Sequence, residues 1–357
     1  MKKIFTLLLA VLAGVEISNA TVVSGTCGNN LTWSYNTESC ILTIEGTGNM
    51  YDYCFGTMID FDCDNPRPWN AYSSQIKTII FSDQITSIGD GAFQNCSGLQ
   101  TAAIPNSVKR IGTWTFAWCT NLTSVGTETT GIQYFGRSAF DNCCKLTSIN
   151  FGTNVVEIGG DAFSGCETLK DVTIPNSLTK IEDGTFEGCD SFTSIRIPDN
   201  ITRIGDRAFA ECKNLTVLTI GLGVKSIGGY AFAECKKLKS VTCLATTPPV
   251  MSLEYYHLPC DDCEGGYYIE ESIDEYSPVF DEVVCYNIPL YVPTESVNAY
   301  QHTDQWKDFA PISPIQDSEG IEEVFGKKSN GNKVIREGVI LVEKNGKTYN
   351  TKGAEVR

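Results

Sequence analysis

The stretch VVEIGGDAFSGCETLKDVTIPNS, residues 155–177, decides the fold, because six further copies of its skeleton flank it. Upstream lie ITSIGDGAFQNCSGLQTAAIPNS (85–107), VKRIGTWTFAWCTNLTSVGTETT (108–130) and IQYFGRSAFDNCCKLTSINFGTN (132–154). Downstream lie LTKIEDGTFEGCDSFTSIRIPDN (178–200), ITRIGDRAFAECKNLTVLTIGLG (201–223) and VKSIGGYAFAECKKLKSVTCLAT (224–246). A phenylalanine returns almost every 23 residues, at Phe93, Phe116, Phe140, Phe163, Phe186, Phe209 and Phe232. Three positions after each stands a cysteine: Cys96, Cys119, Cys143, Cys166, Cys189, Cys212 and Cys235. Only the extra Gly131 disturbs the count. A fixed period of this length marks stacked coils, each burying its apolar face against its neighbours.

The residues assign the parts of one coil. Val172 and Ile174 alternate with polar neighbours, the pattern of a strand with one buried face. Pro175, like Pro105 and Pro198, ends the strand, since proline cannot donate to a ladder. Ile158 and Gly159 bring the chain round a corner. The stretch 161–166 is too short for a helix nucleus and reads as a tight or single 3₁₀ turn. The expected fold is a β-rich solenoid with one short parallel strand per coil, turns on the other side and a cap at each end. Its seven rungs, about 4.8 Å apart, would span roughly 30–35 Å. The polar residues just after the strand, Ser107, Asn154, Ser177 and Asn200, are expected to satisfy backbone groups of adjacent coils.

The skeleton I-x-x-I-G-x-x-A-F-x-x-C-x-x-L resembles the BspA-like leucine-rich repeat of bacterial secreted and surface proteins over residues 76–246, a half repeat followed by seven repeats. Residues 21–75, with a β-hairpin and the Cys-bracketed loop CFGTMIDFDC (54–63), are similar to the amino-terminal cap of such proteins. Residues 247–316 are similar to their closing segment, interrupted by an acidic Tyr- and Cys-bearing insertion at 251–276. The resemblance implies a binding protein: adhesion to host matrix proteins or other microbes, or surface recognition within a microbial community. A non-adhesive envelope accessory, for glycan capture or protease inhibition, is the alternative.

Lys2 and Lys3, the apolar run 4–15 and Ser18-Asn19-Ala20 read as a signal peptide over 1–20 with cleavage after Ala20, so the chain is expected to be secreted or displayed on the cell surface. No other stretch has the 18 or so uncharged apolar residues of a membrane span. After a linker at 317–332, the basic segment 333–357 reads as two strands around Asn345-Gly346. It resembles the carboxy-terminal sorting segments of secreted Bacteroidetes proteins, which would make export machinery a partner; a small hairpin on the cap is the other reading.

The sixteen cysteines divide into two populations. The seven that follow the phenylalanines are expected as buried free thiols, because parallel Cβ vectors do not suit a disulfide torsion. Of the rest, Cys27 with Cys40, Cys54 with Cys63, Cys260 with Cys263, and Cys243 with Cys285 are disulfide candidates in an exported chain.

Little points to catalysis or to a cofactor. Only His257 and His302 are present, leaving nucleophile triads almost without a base. Cys260-Asp261-Asp262-Cys263 has the spacing of half a zinc site, but a disulfide is the preferred reading. The same segment lacks the ordered D-x-D-x-D-G calcium loop. A net charge of −16 speaks against nucleic acid. A protein or glycan ligand remains, with two candidate surfaces. One is the outer face of the sheet, where Arg196 and Thr219 stand among small polar residues. The other is the insertion, where Tyr255, Tyr256, Tyr267 and Tyr268 lie among carboxylates such as Asp261 and Asp262. An unstructured acidic loop is the bland reading of that insertion.

Overall fold

The computed structural model describes residues 20–53, 65–126, 131–170, 172–251 and 278–315, and the backbone of four strands between 332 and 356. The chain winds into a β-solenoid of about nine coils with about 23 residues per turn and little helix.

The turn side carries the core. From Phe93 to Phe232 the seven phenylalanines are buried and stack face to face, with ring centroids 5.2–5.8 Å apart. The column continues past the repeats. Trp69 stacks beneath Phe93 at 5.4 Å, and Phe280 stacks above Phe232 at 5.4 Å. Edge-on contacts close it, from Trp33 to Trp69 at 5.8 Å and from Phe309 to Phe280 at 5.0 Å. The cysteines do more than fill space: from Cys119 to Cys235, six of them donate their thiols to the carbonyl of the phenylalanine one coil back, at 3.1–3.4 Å. A thiol is a weak donor, but it meets an oxygen that water cannot reach.

The strand side has two rows, one more than the sequence suggests. The outer sheet runs through Ile41–Gly46, Thr78–Phe81 and Thr101–Ala103, then resumes with Ser194–Arg196, Val217–Ile220, Ser240–Cys243, Leu290–Val292 and Ile312–Pro314. Between these halves the coils contribute a Thr101–Ser124 bridge and single bonds, Thr147 N–H to Thr123 O at 3.4 Å and Lys170 N–H to Thr147 O at 3.3 Å. The repeat explains the gap. In the coil 108–130 Gly126 stands where the coil 85–107 has the strand residue Ala103, and in the coil 132–154 Phe151-Gly152 stands where it has Ile104-Pro105; both glycines adopt left-handed φ, 86° and 63°. Phe151 turns into the core, edge-on to Phe135 and Phe163. A cleft of about 490 Å³ lies over this part of the strand side, between residues 149–153 and 172–177.

A second row of two- to four-residue strands lines the corner: Ile85–Ile88, Arg110–Ile111, Tyr134–Phe135 and Glu157–Ile158, then Lys180–Ile181, Arg203–Ile204, Ser226–Ile227 and Val250–Met251. The row breaks between Glu157–Ile158 and Lys180–Ile181. Coils meet so closely here that a Cβ on Gly205 would lie 2.5 Å from Asp183 N, and one on Gly228 2.5 Å from Asp206 N. Glycine at this place lets each amide reach the preceding coil, as Gly205 N–H does to Ile181 O at 2.8 Å. In the coil 178–200 that glycine is Glu182, which pairs with Lys180. A side chain at the point of contact holds the two coils apart.

The post-strand polar residues act unevenly. Ser177 and Asn200 donate one turn back, to Val155 O and Leu178 O, while the buried Ser107 hydroxyl has no partner among the described residues. Near the carboxy terminus Asn332–Arg336, Val339–Lys344, Lys347–Asn350 and Glu355–Val356 form a four-stranded antiparallel sheet of their own, with the pair Lys344 and Lys347 flanking residues 345–346.

Candidate functional site

The two interruptions of the repeat leave from one corner. In the coil that precedes the seven repeats, Gly48–Asn49 pairs with the Ile85–Ile88 strand, Tyr53 N–H reaches Asp90 O at 2.9 Å, and Trp69 then takes the phenylalanine place, its indole donating to Ala92 O at 2.8 Å. The excursion 54–64 therefore departs between corner and turn. At the other end Val250–Met251 pairs with Ser226–Ile227, while Phe232 N–H donates to Val279 O at 2.9 Å and Leu290–Val292 continues the outer sheet. Residues read as a cap thus build an eighth coil whose corner-to-turn link is 252–277. Roughly 40 Å of solenoid edge, eight rungs, separates the two departure points.

Of the candidate residues, Tyr255, Tyr256, Asp261, Asp262, Tyr267 and Tyr268 lie outside the described residues, as do Cys54, Cys63, Cys260 and Cys263. Arg196 and Thr219 are described, and they differ from the expected open face. Arg196, Thr219, Thr242, Tyr291 and Ser313 form one register row across the outer sheet. Thr219 and Thr242 are only 4% and 2% exposed, and Ser240 in the adjacent row 5%. The two threonines are enclosed, so a flat partner does not reach them. Arg196 directs one guanidinium nitrogen to Asp199 at 3.4 Å; its other terminal nitrogen is buried without a partner among the described residues. Toward the amino-terminal half the face is open, with Thr101, Ala103, Ser148 and Thr173 exposed.

Two proposed disulfides are not formed. Cys27 and Cys40 are free thiols at opposite ends of the strand Leu31–Asn36, the first beside Thr32 and the second beside the Asn36–Ile41 pair. Roughly 15 Å of strand lies between them, far beyond disulfide reach. Cys243 and Cys285 are also free. Cys243 ends its strand and accepts the Tyr300 hydroxyl at 3.2 Å, whereas Cys285 precedes the neighbouring strand and bonds through its carbonyl to Ala310 N–H at 3.3 Å.

The described thiols are poorly placed for chemistry. Burial pushes Cys96 and Cys235 up to about 12, and Cys119, Cys143, Cys189 and Cys212 well above the ordinary thiol range. A protonated, enclosed thiol neither attacks nor binds metal. No group of three or more metal-ligating side chains occurs among the described residues. No helix among them is long and apolar enough to cross a membrane. Burial lifts the Asp141 carboxyl to about 6, with Asp161 and Glu187 adding to the rise and bonds from Asn142 and Ser164 opposing it.

Known proteins place this geometry in a family. The chain matches the BspA type leucine-rich repeat region in six copies over 70–170 and 133–250, just over half of its length. Among solved structures it is similar to a leucine-rich repeat protein from Bacteroides ovatus, with 22% identity over 74% of this chain and 70% of that one and a TM-score of 0.45. It is similar also to the T. pallidum leucine-rich repeat protein, with 24% identity over 60% and 90% and a TM-score of 0.43. A leucine-rich repeat protein from Eubacterium ventriosum shares 19% identity over 64% and 75%, with a TM-score of 0.38. No curated protein matches. The family's members are bacterial surface proteins with a repeat-based binding role on a fold that is typically non-enzymatic. With its Phe and Cys ladders and its parallel coils, this chain belongs to the BspA-type leucine-rich repeat family.

Proposed function

We propose that the protein is a secreted or cell-surface binding protein, acting in adhesion or recognition of host matrix proteins, glycans or other microbes, and that the segment 252–277 carries its principal contact residues. One observation supports this above the rest. The eighth coil is complete on both sides of the interruption, with the Phe280 stack, the Val279 backbone bond and the Leu290 strand pairing all in place. The solenoid does not need the extra residues to close its core, and tyrosines held at a scaffold edge provide large contact area at low conformational cost. The signal peptide and the basic carboxy-terminal segment fit export, the latter through the sorting machinery.

The test joins location to binding. Protease shaving of intact cells should release fragments of the chain, and the purified protein should bind matrix proteins or glycans in a solid-phase assay. Joining Met251 to Pro278 through a short Gly-Ser bridge should abolish that binding and leave thermal unfolding unchanged. Protection of the chain inside intact cells, or undiminished binding after the deletion, would refute the reading.

A further inference from the structure

We infer that Trp114 and Trp118 form a recognition plate for an uncharged glycan on the turn side of the coil 108–130. This surface is separate from the 252–277 segment and does not depend on its role.

The five tryptophans fall into two sets. Trp33, Trp69 and Trp306 are buried in the terminal coils, and the indoles of the last two donate to Ala92 O at 2.8 Å and Pro249 O at 2.9 Å. Trp118 is 46% exposed and Trp114 half-buried. Among the described residues neither makes a ring contact and neither indole N–H has a protein partner. They do not serve the core.

Their backbone sharpens the point. Each coil places two residues in left-handed conformation, one before and one after its phenylalanine, and Trp114 and Trp118 occupy both with φ of 55° and 62°. The neighbouring coils use Gly91 and Ser138 at the first place, and Asn95 and Asn142 at the second. Those types suit left-handed backbone, whereas a bulky indole is among the least accommodating there. The fold imposes this backbone on every coil, and Tyr230, Arg207, Glu211 and Glu234 share it; what sets the two indoles apart is a large apolar face left without a packing partner among the described residues.

The surroundings select the ligand. Asn95 N–H bonds Ala117 O at 2.8 Å and Trp118 N–H bonds Asp141 O at 2.7 Å, so the Trp118 backbone lies one rung, about 5 Å, from those of Asn95 and Asn142. Across these three coils neither left-handed column carries a charge, and of the two charged residues whose carbonyls accept from Trp114 and Trp118, Arg137 pairs with Asp161 and Asp141 is buried; later coils bring Asp161, Arg207, Glu211 and Glu234 into the columns themselves. A pyranose ring offers a flat C–H face and a rim of hydroxyls. Indole faces take the first; free indole N–H groups and the exposed Asn95 carboxamide take the second. The net charge of −16 disfavours acidic polysaccharides at a neutral plate.

The full chain should be titrated with neutral hexasaccharides, namely β-1,4-glucan, α-1,4-glucan, xylan and mannan, following tryptophan emission and calorimetric heat. At least one sugar should bind and shift the emission. Trp118→Asn and Trp114→Gly should each weaken binding tenfold or more, and the double variant should remove it. Because the new residues are those of adjacent coils, the thermal midpoint should hold or rise as binding falls. Deleting 252–277 should leave the sugar titration unchanged. Absence of binding by every sugar at millimolar concentration overturns the inference. So does binding that survives the double variant, or a loss in the tryptophan variants confined to a protein ligand.

Discussion

The turn side and the strand side of the same coils obey different rules. On the turn side the aromatic column runs from Trp69 to Phe280, and backbone bonds such as Phe140 N–H to Ala162 O at 2.8 Å and Phe163 N–H to Thr185 O at 2.9 Å cross the middle of the array. On the strand side both rows are interrupted, the outer one between Thr101–Ala103 and Ser194–Arg196 and the corner one at Glu182. Cohesion comes from the side chains that repeat, and the strands are free to vary. A solenoid of this kind can open a cleft, cover a row of threonines or admit an insertion on one side while the other remains a continuous stack.

The largest test of that contrast uses pH. Unfolded thiols ionise near their ordinary 9.0, while the folded ladder stays protonated toward 12 or above. Stability is therefore full below pH 9 and is lost as pH rises toward the folded values, by ~1.4 kcal/mol per buried thiol for each pH unit. Urea unfolding at pH 8, 9 and 10 should show a steep fall over the last step; equal midpoints would mean the thiols are not enclosed. In the same denaturant, alkylation without reductant should label at least the twelve cysteines that stand as free thiols.

Truncating the stack should come next. Phe163→Ala removes a fully buried ring between two others and should cost about 3–5 kcal/mol. Thr173→Ala, on the open strand face, should stay within about 0.5 kcal/mol. Similar losses in the two variants would erase the distinction between the sides.

Asp141 is a smaller case on the turn side. Its carboxyl is raised from 3.8 to about 6, so the folded state prefers the protonated form and stability falls as pH climbs from about 4 through 6. Asp141→Asn should gain about 1–3 kcal/mol at pH 7.5 and nothing below pH 4. A gain independent of pH would point to altered packing instead.

The mildest change is Glu182→Gly. Restoring glycine at the corner should let residue 182 N–H reach Ile158 O, slowing its hydrogen exchange about tenfold with global stability altered by less than ~1 kcal/mol. Exchange as fast as in the parent would show that the gap has another cause.

Much of this was legible beforehand, and the exceptions have definite causes. The phenylalanines and cysteines could be read as stacked core because a fixed period places identical residues one rung apart. The thiol bonds to phenylalanine carbonyls could not, since they depend on where Sγ points. The corner strands could not be read because nearly all of them have two residues, too few to show alternation. The eighth coil was hidden by its own insertion, which separates Met251 from Phe280 and destroys the period on which the reading relied. Arg196 and Thr219 were assigned to an open face by alternation alone, and alternation does not report what stands over a short side chain. Trp114 and Trp118 were in plain view, but the skeleton treats their positions as variable. Only the solvent-facing placement of two large apolar rings without a packing partner among the described residues distinguishes them.

The sequence by itself determined the coil, its length and the residues of its core, because those follow from a repeated pattern of burial that any stacking must satisfy. Tertiary structure alone decided which coils touch closely enough to pair, where a carboxylate such as Glu182 parts them, which thiols are too far apart to bond, and which side chains are left facing water. Those outcomes depend on distances between coils of a few tenths of an ångström to a few ångströms, and a one-dimensional pattern does not carry them.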